Sequence, residues 1–276
     1  MELYHYTTVE AVSKIITARG LSFLGTRYDS MNDIEDYTFA KKKILPEILN
    51  ITEQLDSEGF DKSLTEAIEH YPYIVSFSEK YDDTHMWKEY TAEISIIVDS
   101  NCINRHLGDE DVFDKCRYVD SENIRQVFKE VYQNLNYIGD SIVSNAMTAF
   151  ALIKSSIWKE EAEWRLFTCD YETSESYYDP NSEKKCVIFD VERPRNIIIK
   201  KTGVAKNKER LKSGEINDII LCKEFILPKC ALVGFIIRTQ DNDVFNKLKA
   251  HLTLWLRQCR YEKIQKIKFI KSNNYE

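Results

Sequence analysis

Helical and strand-like periodicity fall in different parts of this chain, and that separation narrows the architectures open to it more than any other feature. In the first half, apolar residues recur mostly at helical spacing. Val9, Val12, Ile15 and Ile16 follow a Thr8 N-cap and stop at Gly20. Further helices are expected over about 35–55, over 84–90, and over 121–154, where Ile124, Val127, Phe128, Val131 and Leu135 keep the period and Gly139 bends the run. Short β-type runs at 3–7, 21–24, 73–78, 94–98 and 115–119 are set among them. From Trp164 onward the pattern is mainly β, over 164–169, 186–191, 196–200, 219–222, 232–238 and 264–270, with one helix at 244–256. Helices early and strands late imply an α+β domain.

At 276 residues the chain suits one elaborated domain or a domain with a subdomain. With 43% hydrophobic residues, 8 Gly and 5 Pro, it is neither collagenous nor largely disordered. No apolar run approaches the roughly 18 residues of a membrane helix, and Met1-Glu2-Leu3-Tyr4-His5 lacks the basic and apolar regions of a signal peptide. A cytoplasmic protein with no membrane contact is expected. Seven cysteines without a Cys-x-x-Cys pair, and five scattered histidines, read as structural thiols and imidazoles, so no metal site is expected.

The formal charge of −7 hides an asymmetry. Residues 1–192 hold 19 Lys and Arg against 37 Asp and Glu, net −18, whereas 193–276 hold 19 against 8, net +11. The basic residues between 193 and 271 would suit phosphate or nucleic acid by counterion release. They would equally suit docking on the acidic body or a solvated face.

Three segments place polar side chains where a core would favour apolar ones. In the first strand, period 2 puts His5 on a face with Leu3 and Thr7, and Tyr4 and Tyr6 on the other. Ser76-Phe77-Ser78-Glu79 offers two hydroxyls on one face. Glu161, Glu163 and Arg165 share a face on entering another strand, and two close carboxylates raise each other's pKa, which prepares one as an acid and the other as a base or charge stabiliser. Each also has a structural reading: a hydrogen-bonded histidine, an edge strand, a solvated acidic turn.

His5-Tyr6-Thr7-Thr8 followed by Ala11, Ile15-Ile16, Gly20 and Leu21 resembles the opening of many ADP-ribosyltransferases, and Ser76-Phe77-Ser78 and Glu161-Ala162-Glu163 resemble their Ser-Thr-Ser strand and Glu-x-Glu motif. The chain is also similar, over roughly 3–240, to a bacterial family known only as a domain of unknown function. Its marks are Leu-Tyr-x-Tyr-Thr (residues 3–7), Met-Asn-Asp with a nearby Glu (31–35), Phe-Ser-Glu (77–79), Met-Trp-x-x-Tyr (86–90) and Glu-x-Glu-Trp-Arg-Leu (161–166). The resemblance implies a mixed, largely antiparallel split sheet over 1–240 with a helical insertion at about 121–156; the basic residues 241–276 lie beyond it and are expected to form a helix and a strand packed on that domain. It also implies a NAD-consuming ADP-ribosyltransferase-like enzyme modifying a protein or nucleic acid, as in bacterial toxins and phage-defence systems.

The implied roles follow from loss of nicotinamide through an oxocarbenium-like state at the ribose. Glu163 would stabilise that charge and Glu161 would take the acceptor's proton. His5 would bind the adenosine-side ribose and Thr7 the nicotinamide amide or nearby backbone. Ser76 or Ser78 would position Glu163, and Tyr28, Trp87 or Tyr90 would stack on nicotinamide. Arg27 or Arg165 would meet the pyrophosphate, although Arg165 suits an ion pair with Glu161 or Glu163 as well. Asn32, Asp33 and Glu35 fit an Asx-type turn, and Met86 and Trp87 fit the core. Two other functions use the same residues: a nucleotide or nucleic-acid binding module without turnover, and a nuclease holding Mg²⁺ between Asp33, Glu35, Glu161 and Glu163.

Overall fold

The computed structural model describes residues 1–28, 31, 34–44, 46, 72–108, 111–120, 122–134, 148–168, 175–177, 187–189, 197–201 and 219–274. Its strands are β1 (Glu2–Thr7), β2 (Leu21–Arg27), β3 (Tyr73–Ser78), β4 (Ile94–Asp99), β5 (Asp111–Lys115), β6 (Arg117–Val119), β7 (Ile153–Ser155), β8 (Glu163–Thr168), β9 (Glu175–Tyr177), β10 (Val187–Phe189), β11 (Ile197–Lys201), β12 (Ile219–Leu227), β13 (Leu232–Ile237) and β14 (Lys268–Lys271). Helices α1 (Val9–Ile15), α2 (Ile34–Phe39), α3 (Thr84–Glu89), α4 (Ser100–Asn104), α5 (Ile124–Asn134) and α6 (Asn242–Gln258) lie between them. The chain is thus a mixed α/β protein built on a large open sheet.

That sheet runs β11-β12-β2-β3-β1-β4-β13-β14, with β8 also on β3 and β5 beyond β8. Among the described residues of this sheet only β13 and β14 pair in parallel. The sheet forks at β3. One edge of β3 pairs along its length with β8, from Ile74↔Phe167 to Ser78↔Glu163. The other edge meets β2 at one end, Thr26↔Ile74, and β1 at the other, Tyr4↔Ser78.

Antiparallel partners share a face, so the register sorts side chains into two sets. Leu3 and His5 lie with Val75, Phe77 and Leu166 on one face, over a core that also takes Val12, Phe23, Phe235, Leu252 and Leu256. Tyr4 and Tyr6 lie with Ser76, Ser78, Glu163 and Arg165 on the other. There two apolar patches flank the polar residues: Tyr28, Ile74, Phe128, Phe150 and Phe167 on one side, and Tyr4, Tyr6, Met86, Trp87 and Ile236 on the other.

Local rules account for several elements. Thr8 caps α1 by accepting from the Ala11 amide, Asp83 caps α3 and Asp241 caps α6. Gly20 follows α1 at φ +149, and a Cβ there would sit 2.2 Å from the Leu227 carbonyl oxygen, so the return into β2 requires glycine.

The helix expected over 121–154 needs correction. It is helical at Ile124–Asn134 and again at 148–152, but Ile153–Ser155 is a strand paired in parallel with β6. The β-branched Ile153 and the following Lys154 enter the protein's interior there instead of ending an amphipathic helix. The strand expected over 115–119 is two, β5 and β6, which go to different sheets. The run at 264–270 begins as a 3₁₀ turn, Ile264–Lys266, before β14. Cys102 and Cys230 are joined in a disulfide, which departs from the expectation of free thiols, while Cys116, Cys222 and Cys259 are buried thiols.

Candidate functional site

The polar strip between the two apolar patches is an ionic cluster with almost no access to solvent. Arg165 is 0% exposed and Glu163 2%, and Asp36, Lys154 and Glu161 are buried with them. Strand alternation sends Glu163 and Arg165 to the same side of β8. Lys154 arrives from β7, Asp36 from the first turn of α2. Glu161 ends a 3₁₀ helix, Ser156–Glu161, and Ala162 in the left-handed region, φ 44 and ψ 51, turns the chain from there into β8.

Lys154 Nζ lies 2.6 Å from Glu161 Oε2 and 2.9 Å from Glu163 Oε2, so one ammonium bridges two carboxylates. Arg165 grips Glu163 in a fork, Nε to Oε1 at 2.9 Å and Nη2 to Oε2 at 3.1 Å. Its Nη2 also donates to Asp36, and its Nη1 donates to the Ala151 carbonyl at 2.6 Å. Tyr28 lies beneath the guanidinium and Trp158 beneath the Lys154 ammonium. Ser76 donates to the Glu163 carboxylate, and the Ser78 hydroxyl donates to the Glu161 carbonyl oxygen at 2.6 Å. The Glu163 backbone amide donates to the Tyr118 hydroxyl at 2.7 Å.

Three carboxylates against two cations leave a formal excess of one negative charge in a buried volume, where unbalanced charge is costly. The two glutamates respond in opposite ways. Burial alone would raise Glu163, but the charges of Arg165 and Lys154, with hydrogen bonds from Arg165 and Ser76, outweigh it and hold the carboxyl well below the usual range. Burial also raises Glu161, and although Lys154 opposes this, the neighbouring Glu163 charge leaves its pKa above the ordinary value. Lys154 stays charged, because Glu163 and Asp36 more than offset its burial. Glu163 is therefore a fixed anion and Glu161 the group that takes the proton.

Tyr90 connects this interior to the surface. Its residue is 39% exposed, yet burial of the hydroxyl and the charges of Glu161 and Glu163 push its pKa up. The Trp158 indole N–H is buried with no protein partner among the described residues. None of the cluster's residues lines the surface hollow of about 430 Å³ around Trp87, Lys88 and Arg238, or the one of about 530 Å³ around Lys249, Arg257 and Tyr261.

The residues expected in the site divide accordingly. Glu161, Glu163, Ser76, Ser78, Tyr90 and Arg165 come together. His5 and Thr7 do not, because they project from the opposite face of β1. The His5 ring packs edge-on against Phe23, and its Nδ1 lies 2.9 Å from the Ser76 carbonyl oxygen across the fork. A carbonyl only accepts, so Nδ1–H donates and satisfies a group that the diverging strands leave without a ladder partner. Tyr28 and Trp87 are fully buried, the first under Arg165 and the second bonded through Nε1 to Asp82 at 2.9 Å, so neither presents a free ring for stacking. Arg165 is committed to Glu163 and Asp36 and is not free for a pyrophosphate. The Arg27 side chain, Asn32 and Asp33 lie outside the described residues, and Glu35 is exposed, the buried acid of that turn being Asp36.

Lys154, Asp36 and Trp158 were not anticipated. The signal for Lys154 was present as a lone charge closing the apolar run Ala149-Phe150-Ala151-Leu152-Ile153. Nothing in the local pattern separates Asp36 from Asp33 and Glu35.

A family model described as "Protein of unknown function (DUF2971)" matches residues 86–166. That segment carries Lys154, Glu161, Glu163 and Tyr90 and ends one residue after Arg165. No curated protein and no solved structure matches the chain.

Proposed function

We propose that the chain is a NAD-consuming, ADP-ribosyltransferase-like enzyme whose chemistry is carried by the Glu161–Glu163 pair, with no part taken by His5. The observation that supports this is the pair itself: two carboxylates on one ammonium, with pKa values driven apart. Such divergence separates an acid–base group from a permanent charge stabiliser. As nicotinamide leaves with the bonding electrons, the ribose carbon becomes oxocarbenium-like, and Glu163, kept ionised by Arg165 and Lys154, supplies the opposing charge. The acceptor, or water, attacks that carbon and gives its proton to Glu161, whose raised pKa makes it the more basic carboxylate of the pair. Uptake of that proton also removes the cluster's excess negative charge. Tyr90, whose hydroxyl is influenced by both carboxylates, would meet the substrate ring, and the Trp158 N–H would offer it a donor.

Incubation with labelled NAD⁺ tests this reading. Nicotinamide release is expected, reduced by a factor of about 10² or more in Glu161→Gln and abolished in Glu163→Gln, with circular dichroism confirming that each variant folds. Release that is unchanged in both variants overturns the assignment.

A second reading, a nucleotide-binding module without turnover, is favoured by the closure of the site, since both Glu163 oxygens are already engaged. It predicts NAD⁺ or a related nucleotide bound and recovered intact. The nuclease reading lacks support of this kind: Lys154 and Arg165 occupy the carboxylates as a divalent ion would.

A further inference from the structure

Away from the carboxylates, α4 and the 3₁₀ turn Lys229–Ala231 pack against each other at the other core of the sheet, where Cys102, Ile103 and Ala231 are all buried. Asp99 caps α4 by accepting from the Asn101 amide at 3.0 Å; Cys102 lies on α4, and His106 lies in the turn that follows it, its backbone amide donating to the Ile103 carbonyl oxygen at 2.9 Å. The 3₁₀ turn brings Cys230, 128 residues further along, with its Cα 6.6 Å from that of Cys102. One ligand atom from each of Cys102, His106 and Cys230 lies within 4.8 Å of the other two.

The chemistry of these three groups is specific. His106 Nδ1 lies 2.8 Å from the Cys102 carbonyl oxygen. That oxygen only accepts, so Nδ1 carries the proton and Nε2 keeps a lone pair, the arrangement by which a backbone carbonyl fixes the tautomer of metal-binding histidines. Two sulfurs and a neutral imidazole form a soft-to-borderline ligand set, suited to Zn²⁺ and unsuited to Mg²⁺ or Ca²⁺, which take oxygen ligands. Cys230 and His106 are exposed, so ions and reductants can reach them, while Cys102 is held in the core and keeps the geometry fixed.

We propose that Cys102, His106 and Cys230 form a binding site for one zinc-class ion when the two cysteines are reduced, with the fourth tetrahedral position left to water. The disulfide form is the empty counterpart. Its reduction takes two electrons and two protons from a dithiol, which leaves as its own disulfide. The ion then binds both sulfurs as thiolates and releases the two thiol protons. A small-molecule disulfide reverses the change by exchange: its two sulfurs leave as thiolates, which take two protons from water, and the ion is expelled.

Cobalt(II) is the probe. The full chain, reduced with a phosphine and desalted without oxygen, is titrated with Co²⁺ and then with Zn²⁺. One equivalent of Co²⁺ should give thiolate-to-cobalt charge-transfer absorption that Zn²⁺ bleaches. The disulfide form should give none. Cys230→Ser should abolish the band and His106→Ala should weaken binding roughly tenfold or more. Both positions are exposed, and circular dichroism checks that the variants fold. The proposal is overturned if the reduced chain shows no charge-transfer band, or if both variants bind as tightly as the parent.

Discussion

Arg165 has no contact with solvent, and its Nε and both Nη nitrogens are spoken for by Glu163, Asp36 and the Ala151 carbonyl. Removing such a partner leaves buried carboxylates uncompensated, which usually costs about 3–5 kcal/mol. Arg165→Met should lower stability by that much in urea unfolding, whereas Arg165→Lys should recover only part of it for want of the fork. His5 behaves differently. Burial lowers its pKa, partly offset by its bond to Ser76, so the imidazole stays neutral in the folded chain. The unfolded chain therefore takes up the proton first, near the ordinary value of about 6.5. His5's contribution is complete above that pH and falls below it, by at most about 1.4 kcal/mol per pH unit. The urea midpoint should drop between pH 7 and 5, with a shallower slope in His5→Gln. At this scale the sequence was partly legible. Period 2 placed Glu163 beside Arg165 and His5 opposite Tyr4 and Tyr6, but only strand pairing decides which of those faces meets β8.

The turn between the 3₁₀ helix and β8 aims one glutamate of the pair, and it does so at a conformational cost. Ala162 is left-handed, which disfavours any residue with a Cβ by roughly 1–2 kcal/mol. Its amide and carbonyl are bonded to Lys159 and Glu79, which hold the turn in place. Ala162→Gly should raise stability by up to about 1 kcal/mol, net of the greater freedom it gives the unfolded chain, with thermal unfolding as the measure. Elements with strong local signals were readable from sequence. Tyr73–Ser78 alternates after Pro72, α1 combines a cap with a regular apolar stripe, and α6 carries such a stripe. Asp111–Lys115 was not readable, because two aspartates and a lysine surround its apolar pair and its pairing with β8 is non-local. Ile153–Ser155 was hidden for the opposite reason: it continues an apolar run that has helical residues just before it.

Across the whole molecule, the C-terminal segment is woven into the sheet. β14 lies parallel to β13, α6 sends Leu252 and Leu256 into the main core, and Lys268 pairs with Glu2 of β1 at 2.6 Å. Charge counting along the sequence registered the basic third but could not foresee which of its residues would be ladder, core or surface, since that depends on the strand order. No helix among the described residues is long and apolar enough to cross a membrane. Asp82 closes the assembly: its buried carboxylate accepts from Trp87 Nε1 at 2.9 Å, from the Asn273 amide at 2.9 Å and from the Ser272 hydroxyl, and its carbonyl accepts from the Asn274 amide group. Asp82→Ala would leave the Trp87 N–H and the Asn273 amide without the acceptor they use, at a cost of roughly 3 kcal/mol. Proteolysis near residue 271 should then become much faster than in the parent. The same knot sets an order of events on the ribosome. A side chain translated in the first third must wait some 190 positions for Ser272 to emerge, so the Asp82 carboxylate gathers its full set of donors only after β14 has been made, although its bond from Trp87 spans five residues.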